Sequence, residues 1–190
     1  MEECPWLPQL ELCDNLAEYH EYEEHLYNNI FKVDFLDSQP TYKNAIVDIR
    51  RYPYDHGKEE SFYHVTCKDY KNNTPRQPDL RRAERIRWIK AILENYLCSN
   101  TCDICAGILV WEEPYKGSTR IYFFMPDERF IVVIEKRKVY YVLVTAFYVE
   151  HDYKINKYLS KYEKFKNWIT PSIKEDVSET PSTLSRWAIY

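Results

Sequence analysis

One segment, VYYVLVTAFYV at residues 139–149, constrains the fold most, because it is apolar on both faces of a β-strand. Its β-branched and aromatic residues are those that strands favour. A strand that is apolar on both faces must be covered on both sides. We therefore place it at the centre of a sheet, with helices packed against that sheet.

Hydrophobic spacing predicts the remaining elements. Helices are expected over residues 9–31, 79–97 and 152–168. Strands are expected at 44–49, 61–67, 106–111, 120–124, 130–134 and 139–149, with EKRK at 135–138 as a hairpin turn. Because the strands cluster in the second half, the predicted fold is α+β, with an antiparallel meander and helices packed on it.

The domain organisation follows from the same pattern. Residues 1–34 are interpreted as an N-terminal helical segment, residues 35–169 as one domain, and residues 170–190 as a tail rich in Ser, Thr and Pro. No internal repeat is visible. The sequence does not determine the oligomeric state.

Composition excludes several functional classes. The chain has 190 residues and three glycines, with neither a P-loop nor a dinucleotide-binding fingerprint. Its net charge of −4 disfavours a sequence-blind nucleic-acid binder but permits a local basic site. We find no signal peptide or membrane-length apolar run, so a cytoplasmic location with no membrane contact is expected.

Arginines crowd the segment PDLRRAERIRWIKAIL at residues 78–93. Arg81, Arg82 and Arg85 fall where a helix is expected to begin, and cations there oppose the helix dipole. Arg82 shares a helical face with Ile86. One interpretation is that an anion such as phosphate binds at this helix start. The alternative is a structural ion pair.

Four further residues are candidates for a site. His64 lies in the predicted strand SFYHVTC, and Lys68 follows it closely. Thr145 is the only aliphatic hydroxyl in the central strand. If the hairpin is tight, Arg129 lies opposite Val144 or Thr145 and forms a candidate anion site. Alternatively, Arg129 marks the solvent-exposed end of its strand.

The cysteine spacing gives a weaker signal. Cys98, Cys102 and Cys105 form C-x3-C-x2-C, and zinc would require a fourth ligand such as Cys67 or His64. Buried free thiols are the expected state, so we predict no metal site and no cofactor.

Four stretches together resemble a known family: FYHVTCKDY, RQPDLRRAERIRWIKAIL, RIYFFMPDERFIVVIE and YYVLVTAFYVEHDYKINKYLSKYEKF. They are similar to phage-borne nucleases of the barnase/EndoU/colicin/RelE-like superfamily (the BECR fold). The resemblance spans roughly residues 31–168. It implies helices packed on a curved antiparallel sheet of about four to five strands. It also implies a metal-independent, toxin-like endoribonuclease acting on RNA such as tRNA.

The resemblance also implies roles for particular residues. His64, Arg82, Arg85, Arg129 and Thr145 are the expected catalytic residues. Substrate binding is expected from Lys68, Arg81 and Tyr148, although Tyr148 lies on the opposite strand face from Thr145 unless the strand twists or bulges. The alternative function is a non-catalytic phage factor that binds RNA or protein and inhibits a host or defence protein. A neutralising protein partner is compatible with either function.

Overall fold

The computed structural model describes residues 4–68, 76–98 and 107–168. Its strands are β1 (Thr41–Tyr42), β2 (Ala45–Asp48), β3 (Cys67–Lys68), β4 (Gln77–Pro78), β5 (Leu109–Tyr115), β6 (Ser118–Met125), β7 (Phe130–Lys136) and β8 (Tyr141–Tyr148). Six of them form one curled sheet in the order β1-β2-β8-β7-β6-β5, while β3 and β4 pair separately. The predicted α+β class with a curved sheet is therefore confirmed.

The helices are α1 (Tyr19–His25), which continues as π-helix over Leu26–Asp37, then α2 (Glu60–Thr66), α3 (Leu80–Ala83), α4 (Ile86–Glu94) and α5 (Asp152–Phe165). A short 3-10 turn precedes α1 and another follows α5. Asn15 caps the first turn, because its side chain accepts a hydrogen bond from the Ala17 amide and donates one to Glu18. The first helical run thus begins and ends later than predicted.

The sheet is mixed rather than wholly antiparallel. Strands β5 to β8 form an antiparallel meander, as expected, but β2 runs parallel to β8. That parallel pairing involves only Val47 with Tyr141 and Asp48 with Val142. Among the described residues, no strand lies on that side of the second half of β8, and helices α2 and α3 pack along it instead.

The prediction of a strand at residues 61–67 is wrong, because most of this segment is helix α2. Its buried positions Ser61, Phe62, Val65 and Thr66 follow a helical period. The amides of Glu60 and Ser61 find carbonyl acceptors in the preceding loop, and the Thr66 hydroxyl donates to the Phe62 carbonyl. Burial on one helical face thus overrides the β propensity of these residues.

The single helix predicted at residues 79–97 is also wrong in detail, because it breaks into α3 and α4 at Glu84 and Arg85. Arg81 and Arg82 belong to the single turn of α3, whereas Arg85 precedes α4 in a non-helical conformation. The three arginines therefore do not occupy the first turn of a long helix. Only Arg85 stands at the start of the longer helix, as the residue that precedes α4.

The two faces of the sheet bury two hydrophobic clusters. One cluster joins the sheet to the π-helical segment, α2 and α4, with Phe31, Phe62 and Ile89 at its centre. The other joins the opposite face to α5 through Trp111, Phe124 and Tyr158. Within the described ranges, no helix combines the length and apolarity needed to cross a membrane.

Candidate functional site

A groove of about 770 Å³ runs along β8 on the face of the sheet that α5 covers. Residues of α5 line it on one side, and residues of α2 and α3 line it on the other. Six cationic side chains line the groove: Arg50, Lys68, Arg82, Arg120, Lys154 and Lys157. This concentration of cations occurs in a chain whose net charge is −4.

The negative charge in the groove is small by comparison. Asp79 and Glu150 are its two carboxylates, and Asp79 lies 3.3 Å from the Arg82 guanidinium. Among the described residues, Lys68, Lys154 and Lys157 form no ion pair, and all three are exposed. The groove is therefore strongly positive and carries lysines that are available to an anion.

His64 lies at the edge of the groove with a carboxylate partner. Its Nε2 is 3.1 Å from Oε1 of Glu60, one helical turn earlier on α2. The other Glu60 oxygen accepts a 2.7 Å hydrogen bond from Arg76, which also approaches Asp55 at 3.4 Å. Arg76 in turn stacks over the Tyr63 ring, so that Glu60 is held firmly against His64.

The backbone of His64 is fixed as well. Its carbonyl oxygen accepts a 2.9 Å hydrogen bond from the Thr145 hydroxyl and a 3.3 Å hydrogen bond from Nη1 of Arg82. Because the Thr145 hydroxyl bonds to the His64 backbone, this geometry suits a role for Thr145 in positioning His64. Arg82 and Thr145 are thus brought together with His64 and line the same groove.

Both Thr145 and Tyr148 line the groove. The β7–β8 register pairs Val133 with Thr145 but Ile134 with Leu143, which leaves one extra residue in β8 and forms a β-bulge. The strand shifts its alternation there, because Leu143 and Ala146 belong to the same buried cluster. The bulge does not account for Tyr148, because residues 145–148 pair in regular register beyond it and Thr145 and Tyr148 still lie on opposite strand faces.

Three arginines gather around the Tyr148 ring rather than around His64. The guanidinium carbons of Arg81, Arg85 and Arg129 lie 4.9, 5.0 and 6.0 Å from its centroid. Such cation–π contacts attract the positive groups to the ring face. Burial lowers the pKa of the Arg85 guanidinium, with Glu84 opposing the shift. This set, the Tyr148 arginine cluster, lies beside the groove, and Arg81 contributes to an adjoining pocket.

The expected pairing of Arg129 with Val144 or Thr145 is wrong. Strand β7 begins at Phe130, which pairs with Tyr148, and Arg129 precedes it with a positive φ of 55°. The Arg129 side chain instead donates to the backbone carbonyl oxygens of Val149 and Glu150 and to a carboxylate oxygen of Asp152. Its guanidinium therefore ties the end of β8 to the start of α5.

Sequence reasoning missed the far end of the groove. There the buried Glu135 carboxylate lies near Arg50 at 3.9 Å, Arg120 at 3.6 Å and Arg137 at 2.8 Å. Arg120 and Glu135 are cross-strand partners on β6 and β7. The sequence does contain this pair of opposite charges in two otherwise apolar strands. Recognising the two residues as neighbours required the correct strand register.

Aromatic side chains add to the wall formed by α5. Tyr153 and Tyr158 line the groove together with Lys154 and Lys157, which are three residues apart on the helix. Burial raises the pKa of Tyr158, so its hydroxyl remains protonated at neutral pH. Tyrosines beside lysines give a surface that can hold both the bases and the phosphates of a nucleic acid.

The cysteine motif is only partly visible. Cys102 and Cys105 lie outside the described residues, whereas Cys67 is a buried free thiol. Burial raises the pKa of Cys67, with the Thr66 hydrogen bond opposing it, so the thiol is a weak nucleophile. In the part of the chain that the structure describes, one group has metal-ligand proximity, His20 with Glu23 and Glu24, and it does not line the groove.

Comparison of the chain with protein-family models, with curated proteins and with solved structures finds no match. Its function is therefore inferred from the chemistry of the groove.

Proposed function

We propose that this protein is an endoribonuclease that binds RNA in the groove along β8 and cleaves it without a metal ion. The observation that carries the proposal is the position of His64. It lies beside its carboxylate partner Glu60, at the edge of a groove lined by six cationic side chains. RNA supplies both the polyanion that such a groove attracts and its own nucleophile, the 2′-hydroxyl.

Proton transfer would be the task of His64. The imidazole takes the proton of the 2′-hydroxyl, whose oxygen attacks the adjacent phosphorus. The bond from phosphorus to the 5′-oxygen breaks, and Lys68, which lines the same groove, protonates that leaving oxygen. The products are a 2′,3′-cyclic phosphate and a free 5′-hydroxyl. Glu60 keeps the imidazole oriented and stabilises its protonated form.

The remaining candidates divide into two tasks. Arg82 lines the groove, where its positive charge favours a phosphate near His64, while Lys154 and Lys157 offer ammonium groups from the opposite wall. Thr145 is a positioning residue, since its hydroxyl bonds to the His64 backbone. The Tyr148 arginine cluster provides positive charge beside the groove, where a flanking part of the RNA can bind.

A second candidate function is RNA binding without cleavage. The observation in its favour is that Arg82 and Thr145 both donate to the His64 carbonyl oxygen, and Arg82 also pairs with Asp79. Among the described residues, moreover, His64 is the one histidine that lines the groove. In that function the same cations hold RNA, and His64 is a structural residue of α2.

Incubation of the purified protein with total tRNA in EDTA separates the two functions. The wild type is expected to leave 2′,3′-cyclic phosphate ends, and His64→Ala to lose about 10²–10⁴-fold of the rate, as for removal of a general base. His56→Ala is the matched control, because His56 is highly exposed and does not line the groove. A folded wild-type protein that binds tRNA without cleaving it would identify the RNA-binding module instead.

A further inference from the structure

We infer that the far end of the groove is a second phosphate subsite and that the substrate is therefore a single-stranded segment of RNA held at two phosphates. This inference rests on the proposed function and specifies its substrate class. The subsite consists of Arg50 and Arg120, which both line the groove, and of the buried Glu135 beneath them. The other phosphate is the scissile one, near His64 and Lys68.

The cluster around Glu135 contains more positive than negative charge. Its carboxylate is 6% exposed and faces three guanidinium groups, those of Arg50, Arg120 and Arg137. A buried carboxylate needs a cationic partner, but one is enough. The nearby Glu113, which pairs with Arg120 across the sheet, directs both oxygens to Lys161. The cluster therefore retains a surplus of positive charge.

The distances from the arginines to Glu135 suit the binding of an additional anion better than a hydrogen-bonded ion pair. Arg50 and Arg120 lie 3.9 and 3.6 Å from the same Glu135 oxygen, distances too long for hydrogen bonds. The Nε of Arg120, the atom that lies 3.6 Å from Glu135, is buried and has no hydrogen-bond partner among the described residues, so the carboxylate does not hold this guanidinium tightly and a phosphate in the groove would meet its terminal nitrogens. The Arg120 guanidinium also stacks on the Tyr115 ring at 3.5 Å, which restricts its motion. A preorganised guanidinium with donors to spare is a suitable ligand for phosphate.

The two subsites are spaced along one strand. Glu135 pairs with Val142 of β8, and Thr145 of the same strand contacts the His64 backbone. Three residues of a β-strand span roughly 10 Å. An extended RNA backbone can therefore place one phosphate at His64 and a neighbouring one at Arg50 and Arg120.

The wall between the subsites favours unpaired bases. Tyr153 of α5 lines the groove opposite α2 and α3 and is 66% exposed, whereas Tyr158 packs its ring into the cluster beneath α5. A tyrosine ring can stack on a base only where that base is not enclosed in a duplex. Single-stranded RNA thus uses both features of the groove, its cations for phosphates and the Tyr153 ring for a base.

The test is the salt dependence of binding to a fluorescent 2′-O-methyl octanucleotide, which has no nucleophile and so separates binding from cleavage. For Arg50→Ala we expect about tenfold weaker binding and a salt slope smaller by about 0.7, the value for one lost phosphate contact on a single strand. The matched control is Arg51→Ala. Arg51 is the next residue with similar exposure, but it pairs with Asp48 and does not line the groove.

A second variant distinguishes the loss of a phosphate contact from a change in folding. Glu135→Gln keeps both guanidinium groups and removes their counter-charge, so we expect RNA binding at least as tight as in the wild type. If the cluster served folding alone, this variant would weaken binding as Arg50→Ala does, and that result would overturn the subsite. Equal salt slopes for Arg50→Ala and Arg51→Ala would overturn it too.

Further binding measurements identify the class of ligand. Tight binding of a duplex of the same sequence would overturn the single-strand assignment, and equal competition by polyglutamate would overturn RNA as the ligand class. Absence of octanucleotide binding by the wild-type protein would overturn the proposed function together with the subsite. If the wild type binds and cleaves RNA and the Arg50→Ala variant binds it equally well, the subsite is overturned while the proposed function is not.

Discussion

The hydroxyl of Thr145 donates a 2.9 Å hydrogen bond to the backbone carbonyl oxygen of His64, a residue 81 positions earlier in the chain. This bond joins β8 to α2 along the part of the strand that pairs with β7 on one side and, among the described residues, has no strand on the other. Arg82 adds a second donor to the same oxygen at 3.3 Å. The position of the candidate base relative to the sheet thus depends on two hydrogen bonds between elements.

Thr145→Val removes the hydroxyl while keeping the shape of the side chain. We expect the free energy of unfolding to fall by about 1 kcal/mol, because one hydrogen bond is lost. Cleavage should fall further, by about tenfold, since a small displacement of His64 misplaces its imidazole. Urea unfolding and the rate of tRNA cleavage measure the two effects. Thr145→Ser should restore both, and a Val variant with wild-type cleavage would contradict the positioning role.

Glu60→Gln tests the partner of His64. The amide still occupies the position beside Nε2 and Arg76 but cannot stabilise a protonated imidazole. Since a hydrogen bond to a charged group contributes about 1.5–3 kcal/mol, cleavage should fall about 10–100-fold with octanucleotide binding unchanged. The measurement is single-turnover cleavage at saturating protein. If Glu60→Gln loses binding rather than rate, Glu60 acts on the groove and not on His64.

Tyr148→Leu removes the ring from the Tyr148 arginine cluster. Each exposed cation–π contact contributes about 0.5–1 kcal/mol, and three guanidinium groups surround this ring, so we expect a loss of about 1–2 kcal/mol in urea unfolding. Tyr148→Phe retains a π face and should remain within about 0.5 kcal/mol of the wild type. Equal destabilisation by Leu and Phe would assign the effect to the hydroxyl instead.

How far the sequence predicts this molecule depends on the element. The two-faced apolar strand and the meander before it were predictable, because long β-branched runs carry a strong local signal. Helix α2 was not, since its β-branched and aromatic residues favour a strand until their burial on one helical face is known. The break at Glu84 and Arg85 has no glycine or proline to mark it.

The candidate site was predictable in part for a similar reason. His64, Arg82 and Thr145 belong to three distant segments that the fold brings to one carbonyl oxygen. Glu60 could be predicted as the partner of His64 only if α2 was recognised as a helix, because the two side chains meet at positions i and i+4. The grouping of Arg50 with Arg120 depended on knowing the order and register of the strands.

Glu11 makes the stability of the fold depend on pH. Burial raises the pKa of its carboxyl, but the hydrogen bonds and charges of Arg87 and His25 outweigh burial and hold the pKa below its usual value. A carboxyl with a depressed folded-state pKa stabilises the protein above its unfolded value of about 4.3, and this contribution disappears as pH falls through the folded value. Glu11→Gln should therefore lower stability at neutral pH by about 0.5–1 kcal/mol, as for a partly exposed pair.

Urea unfolding at a series of pH values measures this effect. The difference between wild type and Glu11→Gln should be present at neutral pH and shrink in acid. Glu21→Gln is the control, because Glu21 is exposed and forms no ion pair among the described residues. A difference that stays constant down to strongly acid pH would show that Glu11 acts through packing rather than charge.

The concentration of six cationic side chains in one groove of an acidic chain also affects how a ligand arrives. Most of the surface repels a polyanion, whereas the groove attracts it, so the field of the protein orients an approaching RNA before any contact forms. Encounters would then be fast and productive at low ionic strength and would slow steeply as salt is added. Discrimination among partners would begin with the long-range field, ahead of any hydrogen bond in the groove.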